Sequence, residues 1–387
     1  MKTAARMKPV LFVTGHAPPD RVGAFAALHA REGIELALFG GRLQHGTGST
    51  SDPPLQVPHR RVHQHELFKL AASGEYRAVV LSTGGRMALP AAWAGARRAG
   101  VPVILWASLW AHPRTPAHVL SYPLLRHCYR TADAVVTYGP HVSAYVRARG
   151  AHNVHVAPQS VDNDFWRDPG VATPQDAQWA AQTAKDPAAR RWPQQATFVL
   201  MFGGRAVREK GVGVLFEAWR ASGLRAPAAA LVLVGVGSCP PWIPAGGAVQ
   251  LAAEGVVCLE PVSAMQMRNF YAASDVVVLP SIPTRSFREP WGLVVNEAMN
   301  RGLPVIVSDA VGAAAGGLVR NEGNGLVVPA KDPLALAGAI RRLAADPALR
   351  ERLGQAGAND VRAYNYAAWA GGFSAALASV GVSRGGC

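Results

Sequence analysis

The chain has 387 residues, 49% of them hydrophobic, and its 39 Lys and Arg against 25 Asp and Glu give a net charge of +14. This length favours two domains over a single core. The Gly and Pro residues are scattered, which excludes a collagen-like or low-complexity protein, and no apolar run reaches the roughly 18 to 20 residues of a membrane-spanning helix. The four cysteines form no CxxC pair, which favours a reducing compartment.

The positive charge is carried by scattered arginines rather than by a block of like charges. This argues against a nucleic-acid-binding tail, and it leaves open a solvated basic surface or a peripheral contact with anionic membrane. One short segment, residues 122–130, combines apolar and basic side chains that suit a membrane surface: Tyr122, Leu124, Leu125, Arg126 and Arg130. The apolar run Val10–Val13 is too short for a signal peptide, so we expect a cytoplasmic protein, including the inner face of the membrane.

The first half of the chain alternates apolar strands with helical segments. The predicted strands are Pro9–Thr14, Ile34–Phe39, Arg77–Ser82, Val103–Trp106, Asp133–Thr137 and His155–Ala157. Continuous β-branched runs between helices are typical of a parallel sheet covered on both faces.

A polar segment rich in Ala, Gln and Pro interrupts this pattern at residues 167–197, and the alternation restarts at Phe198. The sequence therefore predicts two doubly wound, Rossmann-like α/β domains in series. We place a first domain at 1–175, a linker at 176–197, a second domain at 198–365 and a terminal helix at 366–387. Ligands of such sheets bind outside the carboxyl ends of the strands, which predicts an interdomain cleft.

A glycine turn follows the first strand of the second domain. Gly203 and Gly204 allow the backbone to approach a ligand closely. Arg205 then offers a planar fork for phosphate oxygens, and Lys210 offers a point charge. Glycine turns after strands are common, and the segment matches neither a Walker loop nor G-x-G-x-x-G.

Two acids flank the predicted start of a helix near Gly292. Between Glu289 and Glu297, the backbone N–H groups of Gly292 and Leu293 can hold an anion, and carboxylates suit sugar hydroxyls. The alternative is that Glu289 only stabilises the positive end of its helix and that Glu297 is solvated.

With its neighbours, this acidic pair resembles glycosyltransferase family 4, whose members are retaining enzymes with the GT-B fold. The matching pieces occur in order over about residues 198–365: Gly204-Arg205 with Lys210-Gly211, Leu231–Gly237, Tyr271–Val276, Glu289-x7-Glu297 with Ala298-Met299, Gly302–Val305 and Gly323–Val327. The N-terminal half resembles the family only loosely. The family implies that residues 198–365 bind the nucleotide sugar, that residues 1–175 form the acceptor-side domain, and that the terminal helix, residues 366–387, crosses back onto the first domain.

The resemblance implies a role for each candidate donor residue. Arg205 and Lys210 would hold the diphosphate and stabilise it as the leaving group, assisted by backbone at Gly203, Gly204, Gly292 and Leu293. Glu289 would contact the donor sugar, Glu297 the ribose hydroxyls, and backbone near Val262 the base. No carboxylate nucleophile is evident, so the family implies front-face attack, with a phosphate oxygen helping to deprotonate the acceptor.

The acceptor-side candidates follow strands of the first domain. They are Gly15 and His16 after the first strand, Arg86 after Gly84-Gly85, and His112 after the fourth strand. Packed turns and a surface histidine are the alternatives. The first of these loops has one glycine where the family often has several, and His112 comes later than the family's usual histidine.

We expect no metal and no other cofactor, with the nucleotide-diphosphate sugar acting as co-substrate. Asp162-Asn163-Asp164 spells the D-x-D pattern of metal-dependent transferases, but it follows a strand near the linker, and the family is usually metal-independent. The twelve histidines form no H-x3-H pair backed by a nearby Glu or Cys cluster.

The expected function is sugar transfer to a glycan, a glycolipid or a small metabolite. Two classes of rival remain open. One is another enzyme on this fold, either a nucleotide-sugar epimerase or a phosphorylase. A phosphorylase needs pyridoxal phosphate on a lysine, for which Lys210 and Lys331 are the only candidates in the second domain, and neither context fits well. The other is a non-catalytic nucleotide-sugar-binding protein, against which the set of Arg205, Lys210, Glu289 and Glu297 argues.

Overall fold

The structure, a computed structural model, describes residues 7–40, 55–85, 87–168, 196–237 and 251–384. It divides into two compact units: Met1–Asp162 together with Tyr364–Cys387, and Asn163–Ala363. Each unit contains one parallel β-sheet between helices, which confirms the predicted α/β class with two doubly wound domains. Within the described ranges, no helix is both long enough and apolar enough to cross a bilayer.

The sheet of the first unit has seven strands in the order β3-β2-β1-β4-β5-β6-β7, all in parallel pairs. The strands are β1 (Val10–Thr14), β2 (Ile34–Leu38), β3 (His59–Arg61), β4 (Ala78–Ser82), β5 (Val103–Ala107), β6 (Ala134–Thr137) and β7 (Val154–Val156). Every residue of β1, β5 and β6 is buried, because helices cover both faces of the sheet. These helices are α1 (Pro19–Glu32), α2 (Leu67–Ala71), α3 (Ala88–Ala99), α4 (Pro116–Thr131) and α5 (Pro140–Arg147).

The sheet of the second unit has six parallel strands in the order β10-β9-β8-β11-β12-β13. The strands are β8 (Phe198–Gly203), β9 (Ala229–Val234), β10 (Val256–Leu259), β11 (Val276–Leu279), β12 (Val305–Ser308) and β13 (Leu326–Val328). The helices are α6 (Asn163–Arg167), α7 (Val212–Ser222), α8 (Ala264–Ala272), α9 (Val294–Asn300), α10 (Gly312–Ala315), α11 (Pro333–Ala345) and α12 (Pro347–Asp360).

Residues 163–168 pack with the second unit. Arg268 donates to the carbonyl of Phe165 at 3.3 Å and to Asp168 Oδ2 at 3.0 Å, and Arg301 donates to the carbonyl of Asp168 at 2.6 Å. Because these bonds hold α6 in place, the first boundary between the units lies at Asp162, where the sequence placed it at residue 175. The predicted linker falls outside the described residues except for residues 196 and 197.

The last helix, α13 (Tyr366–Ser379), packs on the first unit against α1 and beside β6 and β7. Its Trp369 and Phe373 are fully buried and lie against Phe12 and Trp106. Tyr366 places its ring where a side chain at Gly23 would lie, 2.2 Å from a built Cβ. The helix therefore supplies a substantial part of the apolar core on one face of this sheet.

A buried ion pair, which we call the tail clasp, fixes the chain beyond α13. Arg77 Nη2 lies 2.9 Å from Glu32 Oε2, and the two side chains are only 10% and 3% exposed. Ser383 Oγ donates to Glu32 Oε1, and the Arg384 backbone N–H donates to Glu32 Oε2, each at 3.0 Å. Arg77 also donates to the carbonyl of Val382 at 2.6 Å. The paired charges thus tie the tail to α1 and to the start of β4.

Each sheet has one point where the direction of winding reverses. It lies between β1 and β4 in the first unit and between β8 and β11 in the second. Loops that follow such strands diverge to opposite faces of the sheet, which leaves a crevice where ligands of this fold class bind.

Candidate active site

The loop after β8 carries the predicted phosphate-binding residues. The Gly204 N–H donates to the carbonyl of Val234 at 2.9 Å, so the start of the loop is hydrogen-bonded to the neighbouring strand β9. A short 3₁₀ turn, Arg208–Lys210, leads to Gly211 with φ +71°, and α7 begins at Val212. A Cβ at Gly211 would lie 2.0 Å from the carbonyl oxygen of Pro280. Only glycine therefore allows this loop to approach the loop after β11.

This close approach brings Lys210 and Glu289 together. Lys210 Nζ donates to Glu289 Oε2 at 2.6 Å, with the two side chains 17% and 8% exposed. Ser281 Oγ donates to the same oxygen at 3.2 Å. The Ile282 N–H donates to the Glu209 carbonyl at 2.8 Å, which joins the two loops through their backbones as well. The pair lies at the reversal point of the sheet, with its charges compensated as burial requires.

The backbone of Glu289 is itself fixed. It forms a parallel bridge with Val311, and its carbonyl accepts from the Gly312 N–H at 3.1 Å. A Cβ at Gly312 would lie 1.9 Å from the carbonyl oxygen of Pro290, so this contact also depends on glycine. Two backbone attachments therefore hold the carboxylate toward Lys210.

The helix after Glu289 begins later than the sequence predicted. Gly292 has φ +93°, outside the helical region, Leu293 is the N-cap, and the first helical residue of α9 is Val294. The predicted start near Gly292 is two residues too early, because a φ of +93° at Gly292 is incompatible with an α-helix. Gly292 and Leu293 thus lie in the turn that leads from Glu289 into α9.

Glu297 is held by a partner of its own. The hydroxyl of Tyr271 donates to Glu297 Oε2 at 2.7 Å, and Tyr271 is fully buried. Burial, and then the nearby Glu297 carboxylate, raise the pKa of Tyr271 well above its usual value. The phenol therefore stays protonated and remains a hydrogen-bond donor that fixes the orientation of Glu297.

The remaining donor-side candidates lie along the same carboxyl edge of the sheet. Gly203 ends β8 and is buried, and Arg205 follows it with an exposed side chain. Val262 is half-buried in the loop after β10, immediately before the capping box of Ser263 and Gln266 that begins α8. Lys210 thus contacts Glu289 directly, whereas Arg205 and Val262 lie at the same carboxyl edge of the sheet.

Sequence reasoning missed the residues that position the acids. Ser281 contacts Glu289, and its own carbonyl accepts a hydrogen bond from Ser308 Oγ. In the sequence, Tyr271 stands out only as the first residue of Tyr271–Val276, a segment that resembles the family. One signal was available for Ser281, which lies two residues beyond β11, at the reversal point where ligand sites of this fold occur.

Of the acceptor-side candidates that the structure describes, Gly15 and His16 lie at the reversal point of the first unit and His112 does not. Gly15 and His16 follow β1, and the Gly15 carbonyl accepts from the Gly40 N–H at 2.7 Å. The ring of Phe39 lies 3.8 Å from a Cβ built on Gly15 and 2.7 Å from one built on Gly85, so it lines both loops. Arg86 lies outside the described residues. His112 packs on α4 with Nε2 2.9 Å from the His118 carbonyl and its ring against Tyr122.

Among the described residues, no group of three or more His, Cys, Asp and Glu side chains is arranged to hold a metal ion. In the D-x-D segment, the Asp164 side chain is 97% exposed and lies 3.5 Å from Arg167.

The chain is similar to known glycosyltransferases. Residues 197–346 match the family described as Glycosyl transferases group 1. An uncharacterized glycosyltransferase of Methanocaldococcus jannaschii is 32% identical over 40% of this chain and 37% of its own length. A D-inositol 3-phosphate glycosyltransferase of Xylanimonas cellulosilytica is 34% identical over 54% of this chain and 47% of its own. The chain thus spans less than half the length of the curated relatives it first matches.

The whole fold also has a solved counterpart. Anabaena HepE, crystallised with UDP and glucose, superposes with a TM-score of 0.72 at 18% identity, covering 96% of this chain and 100% of that one. The two doubly wound units therefore define a protein of the GT-B fold. Residues 197–346, which match the glycosyl transferases group 1 family, contain Arg205, Lys210, Glu289 and Glu297.

Proposed function

We propose that this protein is a retaining glycosyltransferase of family 4 that moves a sugar from a nucleotide-diphosphate sugar to an acceptor. The observation that carries the proposal is the buried Lys210–Glu289 pair at the reversal point of the second sheet. The pair consists of an ammonium and a carboxylate, a group that suits sugar hydroxyls, at the edge of the sheet where ligands of this fold class bind. HepE is described in complex with UDP-glucose, which makes UDP-glucose the first donor to test.

In the proposed reaction, the bond between the anomeric carbon and the diphosphate oxygen breaks, and the acceptor oxygen bonds to that carbon on the same face. The acceptor's proton passes to a phosphate oxygen. Lys210 and Arg205 stabilise the negative charge that develops on the departing diphosphate. An ammonium has three N–H donors, and the one that Lys210 gives to Glu289 fixes the direction of the other two.

The two acids bind different parts of the donor. Glu289 accepts hydrogen bonds from sugar hydroxyls, with Ser281 and Lys210 fixing its position. Glu297 accepts from the ribose hydroxyls, with Tyr271 fixing its orientation. The acceptor, a glycan, glycolipid or small metabolite, is the substrate of the first unit, and neither a metal nor another cofactor takes part.

The test is a panel of nucleotide-diphosphate sugars, UDP-glucose first, incubated with the protein and a crude acceptor extract, with nucleotide release measured. We expect release that depends on the extract. Lys210→Ala and Glu289→Ala should each reduce it about 10²- to 10³-fold, the usual cost of removing a group that stabilises transition-state charge. Lys331→Gln and Glu351→Ala, exposed residues of the same unit, are matched controls and should leave release unchanged.

Each other outcome points to a different conclusion. Donor conversion without the extract would favour an epimerase, and donor binding without turnover of any donor would favour a binding protein. Release that survives both Lys210→Ala and Glu289→Ala would show that the site is wrongly assigned. Inversion at the anomeric carbon of the product would contradict retention.

A further inference from the structure

The first unit carries most of the chain's net positive charge. It has 19 Lys and Arg against 8 Asp and Glu, whereas the second unit has 20 against 17, so +11 of the +14 lies in the first unit. Within it, residues 76–161 contain nine arginines and a single acid, Asp133, which is paired with Arg97 at 2.9 Å. Such a one-sided charge balance attracts polyanionic surfaces.

Helix α4 lies in the middle of this basic stretch and exposes large apolar side chains. Leu120 is 83% exposed, Val119 is 61% exposed and Leu124 is 42% exposed. Only nine large hydrophobic side chains are exposed in the described residues, and three of them lie within the six residues 119–124. Clustering of this kind marks an interaction surface, since isolated exposed apolar residues are ordinary.

The helix is anchored by its opposite face. Leu125, Cys128 and Tyr129 are buried in the core of the first unit. Residues three and four apart lie on one face of a helix, so Leu120 and Leu124 stand above each other, and Val119 lies on the same exposed side. The outward side of α4 thus exposes three large apolar side chains between residues 119 and 124.

The basic residues surround this apolar patch. Arg126 and Arg130 are exposed on the last two turns of α4, and exposed Arg114 lies just before its first turn. We call Arg114, Val119, Leu120, Leu124, Arg126 and Arg130 together the α4 surface. An apolar patch between cations is the arrangement of interfacial helices, in which apolar side chains enter the acyl boundary while basic ones stay among anionic headgroups.

We propose that the α4 surface binds an anionic lipid bilayer, with Val119, Leu120 and Leu124 inserted and the three arginines on the headgroups. A second copy of the chain is a poorer occupant, because the same +11 unit would face itself. The proposal goes beyond sugar transfer and does not depend on it, since lipid binding can be measured without a donor.

The test is flotation of the full chain with vesicles of phosphatidylcholine alone, or of equal parts phosphatidylcholine and phosphatidylglycerol. We expect binding only to the mixed vesicles, weakened by added sodium chloride. Arg114→Gln and Arg126→Gln should each weaken it about fivefold, the usual contribution of one basic residue near such a surface. Leu120→Ser/Leu124→Ser should weaken it about tenfold or more, since two apolar insertions are lost.

The matched controls lie on the second unit. Leu334 is 72% exposed, so Leu334→Ser removes an equally exposed leucine, and Arg225→Gln removes an exposed arginine. Both should bind like the parent chain. Circular dichroism and thermal melting check that the α4 variants fold, as expected for exposed positions.

Three results would overturn the proposal. The first is equal binding to both vesicle types, and the second is undiminished binding of Leu120→Ser/Leu124→Ser. The third, from light scattering, is a dimer of the parent chain that these substitutions convert to monomer, which would make the α4 surface a contact between copies.

Discussion

Each unit of this protein buries an ion pair, but at opposite edges of its sheet. Lys210 and Glu289 follow β8 and β11, at the carboxyl edge of the second sheet. Arg77 directly precedes β4, and Glu32 directly precedes the turn into β2. This pair therefore lies at the amino edge of the first sheet. Because ligands of doubly wound sheets bind at the carboxyl edge, the first pair lies where a ligand would bind and the second lies at the opposite edge.

The partners of the two carboxylates reinforce this difference. Both oxygens of Glu32 are bonded by the tail, through Ser383 and Arg384, and Arg77 shares one of them. For Glu289, the contacts from Lys210 and Ser281 both fall on Oε2. The tail of the first unit thus covers Glu32, whereas Glu289 is contacted by Lys210 and Ser281 from the two loops at the reversal point of the second sheet. The following substitutions test that distinction.

The largest expected effect is on the stability of the first unit. Glu32→Gln leaves Arg77 buried without its counter-charge, which should cost about 3–5 kcal/mol of unfolding free energy. Urea unfolding measures the loss. Glu35→Gln is the control, because the Glu35–Arg60 pair is much more exposed and should cost less than about 1 kcal/mol. Equal losses in the two variants would contradict the structural role of the tail clasp.

Glu289→Gln should reduce activity more than stability. We expect nucleotide release to fall about 10²- to 10³-fold, with a smaller loss of unfolding free energy than in Glu32→Gln. Residues that act as a unit are not additive, so Lys210→Ala/Glu289→Ala should be no slower than the slower single variant. A double variant in which the two losses multiply would show that the residues act independently.

The sequence predicted the sheets well, because continuous β-branched strands between helices encode a covered parallel sheet locally. It also placed Lys210 and Glu289 correctly on loops after strands. It could not show that they touch, since they are 79 residues apart and their contact depends on how Gly211 packs against Pro280. The contact between Lys210 and Glu289 therefore depends on tertiary packing and leaves no local signal in the sequence.

Tertiary contacts also account for the two displaced boundaries. The start of α9 moved because Gly292 adopts φ +93° beside Leu279. The unit boundary moved because Arg268, 100 residues further along the chain, binds Asp168. A run of glycine and polar residues near a boundary does not reveal which distant side chain will fix it.

Gly211 tests whether the close approach of the two loops creates the site. Gly211→Ala must adopt a left-handed backbone, which costs about 1–2 kcal/mol, and also places a Cβ 2.0 Å from the Pro280 oxygen. We expect a total loss of about 3 kcal/mol or more, measured by urea unfolding, together with lower nucleotide release. Gly223→Ala is the control, because Gly223 has φ +76° and nothing within 4 Å of a built Cβ. Similar losses in both would mean that backbone strain alone matters.

The smallest effect concerns the positioning of Glu297. Tyr271→Phe removes only the hydroxyl that donates to Glu297 Oε2, and a hydrogen bond to a charged group is typically worth about tenfold in binding. If Glu297 binds the ribose, KM for the donor should rise about tenfold while kcat changes little, because the hydroxyl acts far from the reacting carbon. Tyr129→Phe, at a fully buried tyrosine of the first unit, should leave KM unchanged. An unchanged donor KM in a folded Tyr271→Phe variant would remove Glu297 from the donor site and leave the Lys210–Glu289 pair as its centre.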